Sequence, residues 1–115
     1  MDVSILIVNY NTCDLTVKAI ESVYRSNTTY QVEIILIDNA SSDGSAALIR
    51  ERFPELKMIV NEHNVGFAKA NNQGMREAAG RYILLLNSDT EVESDTLQVM
   101  VEYMDQHPDV GASGC

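Results

Sequence analysis

Four short apolar runs punctuate the chain, and each stops at an amide or a carboxylate. VSILIVN closes on Asn9, VEIILIDN on Asp38 and Asn39, KMIVN on Asn61, and RYILLLNSD on Asn87 and Asp89. Near-continuous Val/Ile/Leu runs of this kind mark parallel strands covered on both faces. They predict strands at Val3–Val8, Val32–Ile37, Lys57–Val60 and Arg81–Leu86, with a fifth beginning at Val110–Ser113.

Between the runs, apolar residues recur at helical spacing. Ala19, Ile20 and Val23 predict a helix from about Cys13 to Ser26. Ala46, Ile49 and Phe53 predict a second, with Ser41 or Ser42 as N-cap and Pro54 as stop. A third runs from about Gly66 to Ala79, with Gly80 in the place of a helix C-terminal glycine. Leu97, Met100, Val101 and Met104 predict a fourth, from an N-cap at Ser94 to about Gln106. Strict alternation of strand and helix argues for an α/β fold: a mostly parallel sheet with helices on both faces. Residues 1–115 read as one domain. The chain stops at its fifth strand, so more protein is expected to follow.

In open α/β sheets, ligands bind in the crevice outside the carboxyl ends of the strands. The polar strand ends fall on that crevice. After the first strand, neither G-x-G-x-x-G nor a P-loop is present. Tyr10 stands there instead and can stack on a base, an interaction worth about 1–3 kcal/mol. Backbone groups of Val8 and Asn9 can bond the base edge. Asp38 accepts from a ring N–H, because an ionised carboxylate accepts and does not donate. Asp43 and Gly44 read as turn chemistry. In the Asn64–Gly74 segment, Gly66 permits a close approach, and Lys69 and Asn71 can reach a nucleotide or phosphate. Asn87-Ser88-Asp89 reads as a cation site if the chain stays extended, with Asp89 on Mg2+ or Mn2+ and Asn87 and Ser88 on the nucleotide.

The charge balance narrows the partners. Seventeen acidic against 8 basic residues give a net charge of −9, which disfavours nucleic acid. A phosphate-bearing small molecule at an acidic site would need a divalent cation. Cys13 and Cys115 form neither a metal spacing nor a disulfide framework, which points to a reducing compartment. Apolar runs this short do not span a bilayer, and there is no transmembrane segment. The expected location is cytoplasmic, the inner face of the membrane included. A cut-short sheet would expose an edge or an apolar patch that favours a homo-oligomer.

Taken in order, VSILIVNYN, IDNASSDGS, NVGFAKANNQG and LLLNSDTEV resemble the family 2 glycosyltransferases of GT-A fold. The third segment resembles the rhamnosyltransferase-like branch. The resemblance runs from Val3 to Cys115. It implies a nucleotide-diphospho-sugar donor (a UDP- or dTDP-sugar), a saccharide or lipid-linked acceptor, and inverting transfer in bacterial cell-surface polysaccharide synthesis. Tyr10 matches the family's base-stacking tyrosine, Asp38 its base-binding aspartate, and Asp89 the last carboxylate of its metal-holding D-x-D. Asn87 departs from the aspartate of many members. The general base would lie beyond Cys115, so this chain would hold only the donor-binding half and would not turn over.

Two other readings stay open. A receiver domain would need acidic residues after the first strand and an acceptor aspartate after the third, where Asn9-Tyr10 and Asn61 stand. A non-catalytic nucleotide-binding or assembly module with a degenerate donor site would tolerate Asn87.

Overall fold

The computed structural model describes residues 1–109 and 111. Eight elements alternate along the chain: β1 (Val3–Asn9), α1 (Cys13–Arg25), β2 (Val32–Asp38), α2 (Ser45–Arg52), β3 (Lys57–Val60), α3 (Phe67–Glu77), β4 (Tyr82–Leu86) and α4 (Thr96–Gln106). The strands form one parallel sheet in the order β3-β2-β1-β4. The expected fold class is therefore the observed one. The predicted fifth strand falls outside the described residues, Gly111 apart.

Strand alternation divides the core. Val3, Ile5 and Ile7 of β1 and Ile34 and Leu36 of β2 face α1, α2 and α4. Leu6, Ile35 and Ile37 face α3 through Ala70. α3 lies close because Gly74 has no side chain: a Cβ there would stand 2.8 Å from a Leu6 methyl and 2.9 Å from one of Ile37. The two central strands are covered on both faces, whereas β4 is not. Ile83 and Leu85, on its α3 side, are 44% and 46% exposed.

Several helix ends differ from expectation. The N-cap of α2 is Gly44, at φ +80°, and neither Ser41 nor Ser42 caps it. Both serines are spent on the loop after β1: Ser41 Oγ accepts from Asn11 N (2.9 Å), and Ser42 N donates to Asn11 Oδ1 (2.7 Å). α4 is capped by Asp95 rather than Ser94. Gly80 is not the C-cap of α3, which ends at Glu77 with Ala78 extended. Gly80 is small because β1 passes over it, and a Cβ there would meet the Ser4 backbone nitrogen at 2.5 Å.

A polar knot closes this N-terminal end of the sheet. Ser4 and Glu33 are register partners, and Ser4 Oγ donates to Glu33 Oε2 (2.5 Å). Ala79 N donates to the same oxygen (2.7 Å), and Lys57 pairs with Oε1 (3.0 Å). The knot anchors the α3–β4 connection, with Gly80 N donating to Ser4 Oγ (2.8 Å) as well.

Candidate functional site

At the carboxyl ends of the strands lies a cleft of about 510 Å³. It is lined by Val8, Tyr10, Thr12 and Leu15 from the β1–α1 region, Asn39 from the end of β2, Asn64, Gly66 and Phe67 from the entry to α3, and Asn87, Ser88 and Asp89 after β4. Six of the residues singled out from the sequence thus meet in one place: Val8, Tyr10, Gly66, Asn87, Ser88 and Asp89.

The other four do not line it. Asn9 and Asp38 are held back from it because β1 and β2 each run one residue further than expected. Both residues remain in the ladder as register partners and follow the alternation onto the α1 face. Asn9 is fully buried and Asp38 is 1% exposed. Asn9 Nδ2 donates to Asp38 Oδ1 (2.7 Å) and Ser41 Oγ (3.1 Å), while its Oδ1 accepts from Thr12 (2.9 Å) and Thr16 (2.7 Å). Asp38 Oδ2 accepts from Ser41 N (3.2 Å). Lys69 is exposed on α3 away from the lining, and Asn71 is buried on the inner side of that helix.

The loops that carry the cleft brace one another. Asn11 and Ala40, which follow β1 and β2, both have left-handed backbone, at φ 52° and 65°. Asn tolerates this region; Ala does so at a cost of about 1–2 kcal/mol. Asp43 joins the two loops. Its Oδ1 accepts from Ser45 N (3.0 Å) and the Ser45 hydroxyl, and its Oδ2 accepts from Cys13 N at the start of α1 (3.2 Å). These bonds, the Ser45 hydroxyl first, hold the Asp43 carboxyl below its ordinary 3.8. The turn-forming role expected of Asp43 is the one observed.

The residues expected to serve a metal sit on a turn rather than an extended stretch. Thr90 N bonds Asn87 O (3.0 Å), folding Asn87–Thr90 back on itself, so the i, i+2 alignment expected of an extended chain does not apply. Asp89 is exposed and is the only carboxylate among the lining residues. No cluster of three His, Cys, Asp or Glu residues exists among the described residues. The local donors are all hard oxygens, which suits Mg2+ or Mn2+, but they supply too few ligands to hold the ion without phosphate oxygens and water. On the opposite wall, α3 begins at Gly66 without a side-chain cap, so its first N–H groups and positive dipole end lie at the cleft rim.

Sequence reasoning did not select Thr12, Leu15, Asn39, Asn64 or Phe67. Asn39 had a signal: it adjoins Asp38, and alternation puts neighbours on opposite faces. Phe67, an aromatic directly after Gly66, was a second, and the fold leaves it 58% exposed.

The family model for glycosyl transferase family 2 matches residues 4–115. The chain belongs to that family. Among its relatives is the succinoglycan biosynthesis protein ExoO of Rhizobium meliloti, 35% identical over 105 residues, covering 90% of this chain and 30% of that protein. Another is the poly-beta-1,6-N-acetyl-D-glucosamine synthase of Staphylococcus epidermidis, 32% identical over 112 residues, covering 96% of this chain and 27% of that one. This family 2 chain therefore spans under a third of the length of these two relatives. S. aureus TarS 1-349 in complex with UDP superposes with a TM-score of 0.84 at 22% identity, over 100% of this chain and 38% of that one. The mannosyltransferase PcManGT of Pyrobaculum calidifontis, in complex with GDP-Man and Mn2+, gives 0.76 at 25% identity, over 89% and 32%.

Proposed function

We propose that the cleft binds the nucleotide diphosphate of a sugar donor, and that the chain is the donor-binding part of a glycosyltransferase in bacterial cell-surface polysaccharide synthesis. One observation carries this reading: residues as distant in sequence as Tyr10, Gly66 and Asp89 line a single cleft at the carboxyl ends of parallel strands. Family membership and the named relatives support it. Tyr10, 49% exposed, offers a ring face to the base, and Val8 offers backbone; Asn9, expected to do the same, is fully buried with its carbonyl accepting from Asn39 N (2.8 Å). Asn87 and Ser88 face the ribose and phosphates.

Asp38 reaches a base only if the Ala40–Ser41 turn opens, since its carboxylate is shut in and bonded on both oxygens. It retains acceptor capacity for that contact. Lys69 would act from the exposed flank of α3, and Asn71 from its buried inner side. Asp89 would share a Mg2+ or Mn2+ ion with the diphosphate, and the ion would neutralise charge on the leaving group. Uracil and thymine, like guanine, each offer a ring N–H to an acceptor such as Asp38, so this contact does not choose between the bases.

Transfer would proceed by direct displacement, the acceptor hydroxyl of a saccharide or lipid-linked acceptor attacking the anomeric carbon. That hydroxyl must lose a proton to a base. Asp89 is the one carboxylate among the lining residues and is assigned here to the metal; on this reading the base comes from elsewhere, and the chain binds donor nucleotide without turning it over. The finer placement in the rhamnosyltransferase-like branch is supported by the Asn64–Gly74 segment alone. The place of action on this reading is the cytoplasm, the inner face of the membrane included; no described helix is long and apolar enough to cross a membrane. The exposed Ile83 and Leu85 support self-association.

Calorimetry with UDP or dTDP and Mn2+ tests the reading. Binding that is weakened by Tyr10→Ala and Asp89→Ala supports it. No binding by the parent chain would favour a non-catalytic assembly module instead.

A further inference from the structure

Behind the Gly66 wall of the cleft runs a chain of three side-chain amides. Asn39, 2% exposed, lines the cleft at the end of β2. Its Oδ1 accepts from Val65 N (3.2 Å) and Asn61 Nδ2 (3.0 Å), and its Nδ2 donates to Gly66 O (3.3 Å). Asn61 then forms a reciprocal pair with Gln73 of α3: Nδ2 to Oε1 and Nε2 to Oδ1, each 2.9 Å.

The backbone dictates which way each amide faces. Val65 N–H can only donate and Gly66 C=O can only accept, so the Asn39 amide has one workable orientation. That orientation presents an oxygen to Asn61 and fixes its amide in turn. Gln73 must then offer oxygen to one side of Asn61 and N–H to the other. Only uncharged amides satisfy every link of this chain, since a carboxylate lacks the donor.

The chain is not what docks α3. Ala70 and Gly74 already seat the helix on Leu6 and Ile37. What the amides hold is the segment between β3 and α3, which makes few ladder bonds of its own. Gly66 stands there at φ 89°, ψ 165°, followed by the exposed Phe67. Gly66 N is held in the same segment by Asn64 Oδ1 (2.8 Å).

We infer that Asn39, Asn61 and Gln73 are positioning residues that set the Gly66–Phe67 wall of the nucleotide cleft through the amide chain linking β2, β3 and α3. The inference rests on the nucleotide reading above. Gln73 does not line the cleft, so it acts only through Asn61 and Asn39.

The test is Gln73→Glu, with UDP and Mg2+ as the probe and calorimetry as the readout. The introduced carboxylate keeps the bond from Asn61 Nδ2 but sets an oxygen against Asn61 Oδ1. UDP affinity should fall about tenfold at pH 7.5, as expected for loss of one partly buried hydrogen bond with its partner unsatisfied. The gap to the parent chain, measured at each pH, should close as pH falls through the titration of that carboxyl, because protonation restores a donor. A merely structural role would not give this rescue. If Gln73→Glu does not fold, Gln73→Met should show the same loss with no pH-dependent recovery. Unchanged UDP affinity in a folded variant, with the parent binding UDP, overturns the inference and leaves the nucleotide reading standing. A parent chain that binds neither UDP nor dTDP removes both.

Discussion

Asn9 Nδ2 and Asp38 Oδ1 lie 2.7 Å apart, joined across the seam of β1 and β2 on the α1 face of the sheet. The bond makes Asn9 the hub of the strand ends, since its Oδ1 also receives Thr12 and Thr16. Asn9→Ala strands a buried carboxylate oxygen and removes the acceptor shared by two hydroxyls, Thr12 and Thr16, which keep only each other (3.2 Å). Stability should drop by about 2–3 kcal/mol, the cost of unsatisfied buried polar groups. UDP affinity should fall with it, because Tyr10 and the loop after it hang from the same hub. Urea denaturation and calorimetry measure the two effects, and an unaltered midpoint would show that water takes up the orphaned groups.

Ala40 offers the opposite experiment. Its φ of 65° is a backbone state that an L side chain adopts reluctantly. Ala40→Gly should be neutral or stabilising by up to about 1 kcal/mol, where the same change in a helix would cost about that much. Gly66→Ala should destabilise by about 1 kcal/mol or more. No atom stands within 4 Å of the new Cβ, so the cost is conformational rather than steric. Thermal melts of the two variants should move in opposite directions or, at the least, not together.

The contrast between Asn9 and Asn39 shows where sequence reading succeeds and stops. Apolar runs and helical spacing place all eight described elements in order, because burial of Val, Ile and Leu is what forms them. The cleft's position follows from the end of the sheet at which the runs turn polar. Facing does not follow, because it depends on the last residue still held in the ladder. One extra residue on β1 and on β2 sends Asn9 and Asp38 to the α1 face and leaves Val8 and Asn39 at the cleft. Ser41 and Ser42 mislead for a related reason: serine caps helices well, but here it meets the loop after β1 first. Gly80 resembles a helix terminator until its contact with Ser4, 76 residues earlier, is seen.

Glu33 supplies a pH dependence. Burial pushes its carboxyl up, but the Ser4 hydroxyl, Ala79 N–H and Lys57 more than reverse this and hold it below 4.5. A carboxyl lowered on folding contributes stability above its unfolded pKa and loses it as pH falls through the folded one. Glu33→Gln should therefore be less stable than the parent at neutral pH. The difference should narrow as pH drops below about 4.5, the unfolded value. Denaturant midpoints at pH 7, 5 and 3 follow it; a gap that widens in acid would mean that Glu33 is not ionised in the fold.

Asp89 is the sharpest test of the cleft, because it stands alone. With no second carboxylate in the lining, an ion there must take most of its remaining ligands from the diphosphate and water. Two consequences separate this from a complete protein-built metal site. The chain without nucleotide should bind Mn2+ only weakly, in the millimolar range typical of sparse carboxylate sites. UDP and Mn2+ should each raise the apparent affinity of the other, since linkage is reciprocal. Asp89→Asn keeps the shape and removes the charge. It should abolish the Mn2+ enhancement of UDP binding while leaving the metal-free affinity within about twofold, because the stacking surface of Tyr10 and the α3 N-terminus are untouched. Paired titrations of UDP with Mn2+ and with EDTA, on both forms, decide it. Equal Mn2+ enhancement in the variant would place the ion elsewhere on the chain.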